Sequence, residues 1–213
     1  MYQYLLFDLD GTLTDPGLGI TNSVMYALQK FDINVEDRTS LYKFIGPPLR
    51  VSFETFYGFS GEKSDLAIQY YREYFKEKGL YENEVYDGIT DLLIQLKEQG
   101  KSLIVATSKP EPFAIEILRH FKLYDYFDFV AGATMDETRN TKADIIKYAL
   151  EHCNIHEKSS AVMIGDREHD ILGAKENELD SIGVLFGYGS LDELKKAGAT
   201  FIAKNPMNIL EYV

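Results

Sequence analysis

From Gly88 onward the chain alternates stretches of helical spacing with short, continuously apolar runs, a pattern that few folds accept. Apolar residues three and four apart predict helices at Gly88–Gln99, Pro112–Phe121, Lys142–His152, His169–Asn177 and Leu191–Ala197. Between them lie Ser102–Thr107, Phe129–Ala133, Ala161–Asp166, Ser181–Leu185 and Thr200–Ala203, which read as strands. A run that is apolar throughout is the mark of a strand buried on both faces. Strand and helix in alternation predict a parallel sheet with helices on both of its faces. One further run of this kind, Tyr4-Leu5-Leu6-Phe7, stands at the start of the chain.

The segment between that first strand and the rest is helical in pattern. Ile20, Val24, Ala27, Leu28 and Phe31 recur at helical spacing over Gly19–Phe31, with Thr21 and Asn22 near the start. A second apolar region, Leu41–Ile45, stops at Gly46-Pro47-Pro48, which cannot continue a helix. Leu66, Ile68, Tyr70, Tyr71, Tyr74 and Phe75 form another helix, and the Tyr and Phe side chains of this region read mostly as core. The expected architecture is therefore α/β: a Rossmann-like parallel-sheet core of residues 1–14 and 85–213, carrying an inserted all-helical cap of residues 15–84. Ligands of such sheets bind beyond the carboxyl ends of the strands.

Charge and cysteine content narrow the function. A net charge of −12 argues against nucleic acid or an anionic membrane as a partner, because both reward basic patches. A single cysteine, Cys153, excludes an internal disulfide and any multi-cysteine metal site, and its apolar neighbours mark it as a buried structural thiol. No basic segment precedes the first apolar run and no stretch approaches the length of a membrane span, so the expected location is cytoplasmic.

Polar residues with chemical potential fall where the strands end. The first strand stops at Asp8-Leu9-Asp10-Gly11-Thr12, and once the chain leaves the strand at Gly11 the second carboxylate can swing back toward the first. Two such carboxylates either share a proton or bind a hard cation such as Mg²⁺. The second strand ends at Thr107-Ser108-Lys109, where a hydroxyl and backbone N–H groups can hold a phosphoryl oxygen. Lys142 opens the helix after the third strand, with Arg139 as a nearby alternative. The fourth run leads into Gly165-Asp166-Arg167-Glu168-His169-Asp170, two acids four apart opening a helix. His169 within it is read as solvated.

In this order the four motifs resemble the signatures of the haloacid dehalogenase superfamily, and the resemblance covers essentially the whole chain. It implies that Asp8 is a nucleophile that becomes transiently phosphorylated and that Asp10 is the acid/base of phosphatase members. Thr107 and Ser108 would bind the phosphoryl group, and Lys142 would neutralise its charge and that of the nucleophile. Mg²⁺ would be held by Asp8, Asp10, Asp166 and Asp170. Phe44-Ile45-Gly46-Pro47-Pro48-Leu49 looks like the cap loop of the phosphoglycolate phosphatase-like subfamily, which makes Gly46 and Arg50 expected substrate contacts. The chain departs from that pattern in lacking a proline-rich context around Lys142, in Asp87 where relatives commonly have proline, and in Pro16 where serine is frequent.

The expected function is a Mg²⁺-dependent phosphomonoester hydrolase that acts on a small phosphorylated metabolite through an aspartyl-phosphate, as a monomer or weak dimer. A 5'-nucleotidase, an inorganic pyrophosphatase or a sugar phosphomutase would use the same motifs. A receiver-like signalling module also places acids, a hydroxyl and a lysine at strand ends. Asp10-Gly11-Thr12 and the inserted helices argue against it.

Overall fold

The structure, a computed structural model, describes residues 2–213. These residues form two compact units, one running up to Thr14 and resuming over Val85–Val213, the other spanning Asp15–Glu84. Among the described residues no helix is long and apolar enough to cross a membrane.

After strand β1 (Tyr4–Phe7) the chain builds the second unit from α1 (Gly17–Gln29), a 3₁₀ helix (Arg38–Phe44), α2 (Leu49–Tyr57), α3 (Glu62–Tyr74) and a π-helical turn (Phe75–Gly79). Phe44, Phe53, Phe59, Tyr71 and Phe75 are buried, and Phe53 stacks on Phe59 with ring centroids 5.9 Å apart. Helix α1 ends two residues before the expected Phe31, where the chain turns through Asp32 at φ 59°. Thr21 and Asn22 do not cap it. Thr21 lies in the second turn and its hydroxyl donates to Gly17 O at 2.6 Å.

The first unit continues with α4 (Ile89–Glu98), β2 (Ser102–Pro110), α5 (Glu111–His120), β3 (Phe129–Ala133), α6 (Lys142–His152), β4 (Ala161–Gly165), α7 (Glu168–Glu176), β5 (Asp180–Val184), α8 (Leu191–Ala197) and β6 (Phe201–Ala203). The six strands of this unit form one sheet in the order β3-β2-β1-β4-β5-β6, every neighbouring pair parallel. This is the doubly wound order, and the crevice where it reverses direction lies beside β1. Leu6, Ile104, Ala106 and Met163 pack with α6 and α7 on one face. The alternate set, Leu5, Phe7, Leu103 and Val105, is equally buried, so both faces are covered.

Register then decides which residues meet. Phe7 lies level with Val105 of β2 and with Ile164 of β4, so the residues that follow in all three strands emerge at the same edge. Strand β2 runs past its expected end at Thr107. Its pairing with β3 slips between Thr107 and Pro110, and the extension carries Lys109 beyond Thr107.

Candidate active site

Asp8 is the first residue after β1 and extends the ladder by one step, its N–H donating to Ile164 O at 2.9 Å. The next residues fold into a tight turn in which Leu9 O accepts from the N–H groups of Leu13 and Thr14 at 2.9 and 3.0 Å. Gly11 makes this turn with φ +83°, and a Cβ there would sit 2.3 Å from Asp166 Oδ2, so the position excludes any side chain. Asp8, Asp10, Asp166 and Asp170 are all buried, which is exceptional for carboxylates unless something pairs them.

Lys142 is part of the answer. Although it is the first residue of α6, where the helix dipole disfavours a cation, it is buried and turns inward. Its Nζ lies 2.8 Å from Asp8 Oδ1 and 2.7 Å from Asp170 Oδ1, and donates to Ala106 O at 3.1 Å. Thr141 caps the helix by accepting from Asp144 N–H at 3.1 Å, which fixes where Lys142 starts. Arg139 is engaged elsewhere. It pairs with Glu111 at 3.1 Å and covers the Tyr148 ring at 3.7 Å.

Asp166 accepts the Tyr188 N–H on Oδ2 at 2.7 Å, while its buried Oδ1 has no hydrogen-bond partner among the described residues. Asp170 caps α7 through Oδ2, which accepts from Arg167 N–H at 3.0 Å, and turns Oδ1 to Lys142. Oxygens of Asp8, Asp166 and Asp170 lie within 4.8 Å of one another. One lysine does not balance three such acids. Burial, followed by Asp170 and Asp8 nearby, pushes the Asp166 carboxyl well above the ordinary range. Burial likewise lifts Asp170 to about 6 against the pull of Lys142. Burial opposes the charge of Lys142, but Asp170 and Asp8 outweigh it and hold that ammonium above its usual value. An all-oxygen trio short of positive charge, with one buried oxygen that meets no donor, fits a hard divalent cation such as Mg²⁺.

Asp10, also expected among the metal ligands, is not one of these three, and its Oδ2 lies 2.7 Å from Lys109 Nζ. Its other oxygen, Oδ1, is buried without a hydrogen-bond partner among the described residues. Burial outweighs Lys109 and raises the Asp10 carboxyl above its ordinary value. Thr107 is buried at the edge of β2 and its Oγ1 accepts from Lys109 N–H at 3.3 Å, with Ser108 half-buried between them.

In the second unit Gly46 turns the chain at φ +105° after the 3₁₀ helix. Arg50, in the first turn of α2, pairs with the exposed Asp65 at 2.7 Å. Two residues read as bystanders differ in setting from the expectation. His169 is half-buried rather than solvated, and burial together with Arg167 lowers its pKa. Cys153 is half-buried rather than buried, and burial raises its thiol pKa, which suits an unreactive side chain. Sequence reasoning missed Lys109 as a partner of Asp10 and Tyr188 as a support of Asp166.

A family model described as haloacid dehalogenase-like hydrolase matches residues 5–184. The chain belongs to this family. A 5'-nucleotidase of Pseudomonas aeruginosa is 47% identical over 201 residues, covering 91% of this chain and 87% of that one. The crystal structure of a predicted phosphatase from Clostridium acetobutylicum superposes with a TM-score of 0.96 at 55% identity, covering 99% of both chains. The tyrosine-protein kinase PtkA of Mycobacterium tuberculosis is 39% identical over 201 residues, covering 94% of this chain and 68% of that one. The protein is accordingly an enzyme, a phosphatase with the α/β fold of this family.

Proposed function

We propose that this phosphatase is a Mg²⁺-dependent phosphomonoester hydrolase that acts on a small phosphorylated metabolite through an aspartyl-phosphate on Asp8. The observation that carries this reading is the setting of Asp8. It stands at the switch point of the sheet, tied to Lys142, with oxygens of Asp166 and Asp170 within 4.8 Å of its own. Mg²⁺ held by Asp8, Asp166 and Asp170 would supply charge against the phosphoryl oxygens.

The chain's own residues do the rest. Asp8 Oδ1 is held by Lys142 and by the Leu9 N–H at 2.7 Å, which leaves Oδ2 to attack phosphorus. Lys142 stays protonated throughout and offsets the negative charge gathered on the transferring group. The Thr107 hydroxyl and Ser108 are assigned to the phosphoryl oxygens. Asp10, with its carboxyl raised by burial, gives a proton to the leaving oxygen and then takes one from the hydrolytic water. The likeness to a 5'-nucleotidase favours a nucleoside 5'-monophosphate over phosphoglycolate or pyrophosphate. Specificity is assigned to residues 15–84, including Gly46 and Arg50, because groups that grip only phosphate cannot tell leaving groups apart. The single cysteine supports a cytoplasmic enzyme, and we propose that it works as a monomer or weak dimer.

The test is a panel of nucleoside 5'-monophosphates, phosphoglycolate, pyrophosphate, sugar phosphates and p-nitrophenyl phosphate, compared by kcat/KM with and without EDTA. Activity should require the divalent cation, favour the nucleotides and fall at least about a thousandfold in Asp8→Asn, beyond most of the range of a lesser catalytic group. Full turnover in EDTA would remove the metal, and full turnover of Asp8→Asn would remove the mechanism.

A further inference from the structure

The pair Lys109–Asp10 does more than fill space. Its two side chains are 5% and 11% exposed, and a buried ion pair of this kind returns about as much as an apolar pair would, so stability alone does not account for it. The strand spends regular pairing to create it, since β2 slips against β3 between Thr107 and Pro110 where Lys109 is delivered. The pair is also one-sided. Lys109 grips Oδ2 of Asp10 at 2.7 Å, and Oδ1 is buried with no hydrogen-bond partner among the described residues. Among the described residues neither oxygen of Asp10 has another hydrogen bond, so Lys109 is the polar group that sets which way the carboxyl is turned.

We propose that Lys109 is the positioning residue for proton transfer: by anchoring Oδ2 it presents Oδ1 as the atom that gives and takes the proton. The inference rests on the acid/base role of Asp10 proposed above. In the first half-reaction a bond forms between Asp8 Oδ2 and phosphorus while the bond from phosphorus to the leaving oxygen breaks. That electron pair stays on the leaving oxygen, which takes the proton of Asp10 Oδ1. In the second half, water oxygen bonds to phosphorus and its proton returns to Asp10 Oδ1. The bond between Asp8 and phosphorus breaks, its pair restoring the Asp8 carboxylate, and phosphate leaves. A phosphomonoester and water become an alcohol and inorganic phosphate, with both aspartates as they began.

The role separates from plain phosphate binding by leaving group. p-Nitrophenolate departs without a proton, whereas an alkoxide does not. In Lys109→Met, turnover of an alkyl phosphate is expected to fall about a hundredfold or more. Formation of the phospho-enzyme from p-nitrophenyl phosphate should fall less than about tenfold, so that a stoichiometric burst of p-nitrophenolate precedes slow hydrolysis. Inhibition by inorganic phosphate should stay within about threefold, and Lys109→Arg, which keeps the cation, should recover most of the alkyl phosphate activity. Equal losses on both esters with no burst, or a parallel loss of phosphate inhibition, would overturn the proposal. An Asp10→Asn variant that turns over the alkyl phosphate at the wild-type rate would instead bring down the reading beneath it, so the two failures are distinguishable.

Discussion

Replacing Asp166 by Asn should stabilise the metal-free protein while it destroys the response to metal. Asp166 is fully buried, with oxygens of Asp8 and Asp170 no farther than 4.8 Å from its own. At that separation each ionised neighbour repels it by about 3.5 kcal/mol, taking an effective dielectric constant of about 20. Lys142 offsets part of this from beyond Asp8 and Asp170. The penalty has a ceiling, because a carboxyl that costs too much takes up a proton. Starting from the ordinary value of 3.8, the ceiling at pH 7 is about 4 kcal/mol, at 1.36 kcal/mol per pH unit. An amide keeps the Tyr188 N–H on its oxygen and turns its own N–H groups toward the two remaining acids. The gain should be about 2–4 kcal/mol, on the order of 5–10 °C in Tm for a chain of this size. The sign with pH follows from the raised carboxyl. It costs nothing where the unfolded chain is also protonated, and the cost grows as pH rises above about 3.8. Thermal unfolding in EDTA should therefore show Asp166→Asn melting above wild type at pH 7.5, with the gap closing toward pH 4.5. Millimolar Mg²⁺ should raise the Tm of the wild type alone. A variant that melts lower in EDTA at pH 7.5, or a gap that ignores pH, would refute the account of Asp166 as a charge awaiting a cation.

Two further substitutions probe other parts of the molecule. Lys142→Met leaves the buried Asp8 and Asp170 without their cation, so urea unfolding should show a loss of about 3–5 kcal/mol, and an unchanged midpoint would contradict its role as their counter-charge. Arg50→Ala breaks an exposed pair with Asp65 worth less than about 1 kcal/mol, so stability should hold while the ranking of substrates changes and p-nitrophenyl phosphate hydrolysis does not. Equal losses on every substrate, or none, would take Arg50 out of specificity.

The acidic part of the site was legible because buried parallel strands are apolar to their last residue, so Asp8 and Asp166 announce themselves where the run stops. Lys142 was legible only as a basic residue at a helix start. What brings it inward is spatial: α7 crosses α6 at Gly173, where a Cβ would stand 2.9 Å from Lys142 Cγ, and no local pattern shows that crossing. Lys109 was hidden by a strand that continues past its apolar run, since the slip against β3 is a property of the pair and not of either strand. Tyr188 acts through its backbone N–H, which carries no residue signature at all. In the second unit, Arg38–Phe44 forms a 3₁₀ helix, too short for a 3.6-residue period to declare itself.

The central claim is that phosphorus passes through Asp8, and chemical trapping tests it most directly. Wild-type enzyme mixed with substrate and Mg²⁺, quenched in acid within one turnover and reduced with borohydride, should yield homoserine at position 8 by peptide mass spectrometry. With p-nitrophenyl phosphate as the substrate, whose leaving group needs no proton, Asp10→Asn should yield more of it, because hydrolysis of the intermediate lacks its base. Homoserine at position 10, or an unmodified peptide from an enzyme that is turning over, would contradict the claim.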